Sequence, residues 1–115
     1  MIAVKYLLYG ENDNLLYSQE IKKYGGDSIL CRDEEEIYPI LSEITTFDIE
    51  TFFPEDINYL VEDLNKLKNN LKVESERNYV DEIIELCEKC LNNNQGHIIF
   101  NPFVDIVRIA SKEKN

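Results

Sequence analysis

Cys87-x-x-Cys90, with Cys31 upstream and His97 downstream, is the set of residue types in this chain closest to a metal or redox site. By number, three thiols and an imidazole would satisfy a tetrahedral zinc ion. Structural zinc, however, usually draws on two closely spaced ligand pairs, and no second pair exists here. A thioredoxin-like dithiol needs its motif at a helix N-terminus, where the dipole lowers the thiol pKa. These cysteines fall in the last turns of an amphipathic helix, on or beside its apolar stripe, where they read as small buried hydrophobes. A metal-binding protein using Cys87, Cys90 and His97 stays open as an alternative. Three cysteines is an odd number, so they cannot all pair within the chain. Reduced thiols in a reducing compartment fit best.

Other catalytic patterns are missing. No serine lies in a G-x-S-x-G elbow. Gly25-Gly26 lacks the spacing of a phosphate-binding loop, and Asn12-Asp13-Asn14 lacks that of an EF-hand. Carboxylates are so abundant that no pair stands out as a general acid and base. The chain reads as a non-enzyme that needs no cofactor.

Charge is more informative. The net charge is −11 and the pI about 4.4, which argues against direct contact with nucleic acid or an anionic membrane. It favours a basic protein partner. Between Asp33 and Asn65 stand eleven acids and no lysine or arginine. Aromatic residues are interleaved with them, among seven tyrosines in the chain, more than a small core requires. Two readings are open: a solvated face kept for solubility, or a docking face combining steering charge with aromatic anchors. The docking reading selects Asp33, Glu34, Glu35, Glu36, Tyr38, Asp48, Glu50, Glu55, Asp56, Tyr59, Glu62 and Asp63 as partner-binding residues.

The elements that must carry these residues centre on Pro54 to Asn94, which reads as a helical hairpin. In its first helix Ile57, Leu60, Val61, Leu64, Leu67 and Leu71 form one stripe of a 3.6-residue period. Pro54 suits the first helical position. Glu55 and Asp56 follow in the first turn, and Lys66, Lys68 and Lys72 lie near the end, as the dipole favours. Tyr59 falls off the stripe and should point outward. The second helix reads from about Glu76 to Asn92, with Ser75 as N-cap. Its stripe is Val80, Ile83, Ile84, Cys87 and Leu91, flanked by Tyr79 and Cys90. Asn92 to Gly96 tolerate the left-handed conformation that closes a helix.

Outside the hairpin, Ile2 to Tyr9 is apolar on both faces, as a central strand would be. Gly10 to Asn14 is a turn cluster. Leu15 to Tyr17 suits the start of a second strand and Ser18 to Tyr24 a short helix, with a break at Gly25-Gly26-Asp27. Ser28 to Arg32 reads as a short strand holding Cys31. Asp33 to Glu36 fits a helix start, but Pro39 lies too far inside it, so an irregular turn or a helix from Pro39 is equally open. Thr45 to Phe53 reads as an extended linker or edge strand with Phe47, Ile49 and Phe52 buried. His97 to Phe100 reads as a strand, Phe103 to Ala110 as a last strand, and Ser111 to Asn115 as a polar tail. The expected fold is α+β: one domain over residues 1–115, with a small, mostly antiparallel sheet packed on the two-helix hairpin. No stretch approaches the ~20 apolar residues of a membrane helix, and Met1 to Tyr9 lacks a signal-peptide cleavage site, so a cytoplasmic protein is expected.

Two apolar-acidic helices followed by Gly96-His97-Ile98-Ile99-Phe100-Asn101-Pro102-Phe103 resemble the small immunity proteins of bacterial polymorphic and contact-dependent toxin systems. The likeness spans roughly residues 53–103 and is one of size, acidity and layout. It implies an antitoxin that binds its cognate toxin domain, often a basic nuclease, and occludes the active site, acting as a monomer or weak dimer. The alternative from a neighbouring class is a phage or host inhibitor or adaptor whose acids mimic nucleic acid.

Overall fold

The computed structural model describes residues 2–21, 27–93 and 96–103. It is an α+β fold: a four-stranded antiparallel sheet in the order β2-β1-β4-β3, packed against two long helices. The strands are β1 (Ala3–Tyr9), β2 (Leu15–Glu20), β3 (Glu50–Phe52) and β4 (Gly96–Asn101). The helices are α1 (Asp27–Leu30), a single turn, then α2 (Pro54–Asn70) and α3 (Glu74–Leu91).

The helical hairpin forms because its apolar residues recur with the helical period and find a common surface. Ile57, Leu60, Leu64 and Leu67 of α2 meet Val80, Ile83, Leu86, Cys87 and Cys90 of α3 in the core. Lys68 reaches across to Asp81 at 2.6 Å and ties the helices near their connection. Both N-cap positions hold apolar residues, Phe53 for α2 and Val73 for α3, and neither helix has a side-chain cap. Helix α3 therefore begins two residues before the expected start, and Ser75 lies within it rather than capping it. The helix closes at Asn92 in right-handed rather than left-handed geometry.

Strand β1 lies between β2 and β4, so its central position is as expected. The turn to β2 places Asn12 and Asp13 at positive φ (61° and 58°), a conformation these two residue types tolerate well. Ser18 to Glu20 extend β2 rather than forming a helix, paired with Leu7 to Lys5. Strand β4 is central as well, with Gly96 to Asn101 opposite β1 and Ile98 to Phe100 opposite β3. Val4, Tyr6, Ile98, Phe100 and Phe52 face the helices, and Phe52 meets Phe100 edge-on at 5.6 Å between ring centres.

Of two short segments before β3, the first departs from expectation and the second takes the irregular-turn alternative. Ser28 to Leu30 is helical, not extended, and buries Ile29 and Leu30 in the core, leaving Cys31 in the loop that follows. Asp33 to Ile40 is a series of turns leading into a 3₁₀ turn over Leu41–Glu43. The expected final strand at Phe103 to Ala110 and the polar tail lie outside the described residues, apart from Phe103 in a turn. No described helix is long and apolar enough to cross a membrane.

Candidate functional site

The cysteines sort first. Cys87 and Cys90 are fully buried between α3 and the sheet. Burial pushes the Cys87 thiol up to about 12, with Cys90 and Glu88 adding to the shift, and pushes Cys90 up to about 11. The Cys90 thiol donates to the Gly96 carbonyl at 3.2 Å, which links the end of α3 to the start of β4. Thiols held protonated in this way are poor nucleophiles and poor metal ligands. Among the described residues no three His, Cys, Asp or Glu side chains come together as a metal site.

His97 lies on the face of the sheet away from the helices. Its ring stacks on Tyr9 at 5.1 Å and 8° between planes, and Phe53 tilts against it at 5.5 Å. Burial lowers its pKa. The imidazole thus packs against two aromatic rings, one from β1 and one from the start of α2.

Two of the twelve expected partner-binding residues turn inward. Tyr38 is only 5% exposed and belongs to the core, with its hydroxyl accepting from the Asn70 side chain at 2.9 Å. Asp63 is 2% exposed, the one buried charged side chain among the described residues. Its Oδ2 accepts the backbone N–H groups of Ile40 at 2.7 Å and Leu41 at 3.1 Å. That carboxylate caps the 3₁₀ turn and pins the Asp33–Glu43 loop to α2. Lys66 supports the same join by donating to the Ile37 carbonyl at 3.2 Å. Asp63 sits one residue before Leu64 on the edge of the α2 stripe, and an acid so close to a buried stripe was the available signal for an inward role.

The remaining acids stay outside. Asp33, Glu34, Glu35, Glu36, Asp48, Glu55, Glu62 and the previously unselected Glu43 are exposed, while Glu50 and Asp56 are partly covered. Glu50 lies opposite Phe100 in the ladder, on the side the helices cover. Burial raises its carboxyl pKa, and Glu43 and Asp48 raise it further. Tyr59 projects outward as expected.

The apolar residues beside these acids are the larger surprise. Phe47 and Ile49, expected to be buried, are exposed, Phe47 to 80%. The Thr45 hydroxyl accepts the backbone N–H groups of Phe47 (3.2 Å) and Asp48 (3.3 Å), so the outward bend at Phe47 is an internally bonded turn. Ile37 and Phe53 are also half-exposed. Phe47 and Asp33 share the lining of a shallow cleft of about 180 Å³, together with Arg32, Ser42 and Thr45. Arg32, the cation in that cleft, is turned inward, with its Nε donating to the Ile29 carbonyl at 3.0 Å and its guanidinium 6.0 Å from the Tyr38 ring centre. A second cleft, of about 380 Å³, lies at the α2–α3 connection and carries both signs of charge, from Lys68, Lys72 and Arg77 to Glu74 and Asp81.

Compared with known proteins, the chain matches no family model, no curated protein and no solved structure.

Proposed function

We propose that this chain is an immunity-type inhibitor, a non-enzymatic module of the cytoplasm that binds a basic toxin domain, such as a nuclease, and blocks its active site by occlusion. One observation carries the reading. The stretch from Asp33 to Asn65 has eleven acids and no lysine or arginine, and eight of those acids are exposed, with Ile37, Phe47, Ile49, Phe53 and Tyr59 exposed among them. Acids alone would serve solubility. Acids interleaved with large exposed apolar side chains suit a partner that is both basic and contoured, because charge speeds encounter and apolar anchors hold the complex. The resemblance to immunity proteins points the same way.

The test is inhibition by the purified chain of the protein encoded beside its gene. A stoichiometric loss of that protein's activity, and protection of cells that express it, are the expected results. A neighbouring product that is not basic, or whose activity is unchanged by excess chain, would overturn the reading.

A further inference from the structure

The exposed acids extend along the Asp33–Glu36 loop, Glu43, Asp48 and α2; of the two groups of exposed apolar side chains, Leu15 to Tyr17 lie on β2 away from the acid-rich stretch in sequence, and Phe47, Ile49 and Phe53 lie within it. Phe47 is the most exposed large hydrophobe of the described residues. Its turn is fixed by the Thr45 hydroxyl, so presenting the ring to a partner needs little further ordering. At the other end of the segment, Phe53 occupies the N-cap of α2, where Ser, Thr, Asp or Asn would bond an open N–H. Its ring instead packs against His97 and stays half-exposed. Phe47, Ile49 and Phe53 are the exposed apolar residues of this segment, and the last two flank the edge strand β3 in sequence.

The charge around this segment selects its occupant. Glu43 and Asp48 are exposed and Glu50 is partly covered; burial first, and then the charges of Glu43 and Asp48, hold the Glu50 carboxyl above its ordinary value, and the described carboxylates do not converge as a metal site. A long cationic side chain suits that arrangement better than a bare ion. A second copy of this chain, itself at −11, does not suit it.

We infer that the Thr45–Phe53 segment, anchored by Phe47, is the surface on which the chain docks its basic partner: the Phe47 ring enters an apolar pocket, and a lysine or arginine from the pocket rim lies between Glu43, Asp48 and Glu50. This deepens the inhibitor reading and rests on it. It places the energetic centre on the loop before α2 and leaves the Asp33–Glu36 cluster to steer approach.

The experiment measures binding kinetics of the wild-type chain, Phe47→Ala, Asp48→Asn/Glu50→Gln, and Glu34→Lys/Glu35→Lys against the product of the adjacent gene. Circular dichroism checks folding, and Phe47→Leu serves as the conservative variant. Truncating an interface anchor should weaken binding about 30-fold or more, mainly through faster dissociation. Phe47→Leu should recover part of that loss, Asp48→Asn/Glu50→Gln should weaken binding less than Phe47→Ala, and Glu34→Lys/Glu35→Lys should mainly slow association. If the wild-type chain binds and Phe47→Ala binds equally well, the surface is wrong while the inhibitor reading stands. If Phe47→Ala instead abolishes a dimer of the chain seen by sedimentation, the occupant is a second copy and the inference is overturned. If the wild-type chain does not bind at all, both the inhibitor reading and this surface fail.

Discussion

Asp63 shows how a single side chain can belong to structure while looking like surface. It is an acid on a helix next to Glu62, but its carboxylate accepts two backbone N–H groups from the loop it holds. Removing it leaves buried donors unsatisfied, at about 1–3 kcal/mol each. Asp63→Ala should therefore lower unfolding stability by about 2–4 kcal/mol, and Asp63→Asn, which keeps an acceptor, by less. Urea titration of both variants checks this, and a change below ~0.5 kcal/mol for Asp63→Ala would refute the capping role. His97 gives a prediction with a sign. Burial lowers its pKa below the ordinary 6.5, so the unfolded chain takes up a proton first as pH falls. Its contribution to stability is then present above 6.5 and is lost as pH falls from there toward the lowered value. The stability of the wild-type chain relative to His97→Phe should accordingly decline from pH 7.5 to 5.5, and a constant difference would contradict the assignment. Neither role was legible from residue type alone. The partners of Asp63 lie more than twenty residues away in sequence, and the stacking of His97 on Tyr9 exists only once β1 and β4 pair.

The long helices were readable because several local signals agree: periodic apolar residues, Pro54 at the first position, acids in first turns and lysines near the ends. Strands β1 and β4 were readable from dense β-branched and aromatic runs. Failures cluster where a segment is short and its conformation is settled by distant contacts. Ser28 to Leu30 is too brief for a period of two to be told from 3.6, and burial of Ile29 and Leu30 makes it helical. Ser18 to Glu20 have weak strand preferences but gain a ladder by pairing with β1. Ser75 was a sound N-cap by type, yet α3 begins earlier, after Val73. Val73 has extended N-cap geometry, is half-exposed and bonds no open N–H with its side chain. Val73→Ser should therefore raise stability by about 1 kcal/mol. A thermal-unfolding comparison measures the gain, and an unchanged or lower midpoint would show that Val73 packs more than its exposure suggests.

Across the whole molecule, one sheet face and the hairpin build the core, and the stretch from Asp33 to Phe53 adds Tyr38, Leu41, Ile44 and Phe52 to it while presenting its acids and Phe47 outward as a charged margin. Composition announced that margin, because eleven acids without a cation cannot be spread evenly over a small surface. It could not say which apolar residues within it face water. Phe47 and Ile49 look like core by type and are exposed, whereas Tyr38 looks like an anchor and is buried. If this surface engages a basic protein through charge and apolar contact together, the ionic-strength dependence of association reveals it. With the adjacent gene's product as partner, the association rate constant should fall steeply as salt rises across the physiological range, while the dissociation rate changes little. An association rate indifferent to salt, or no complex at micromolar concentrations, would contradict it.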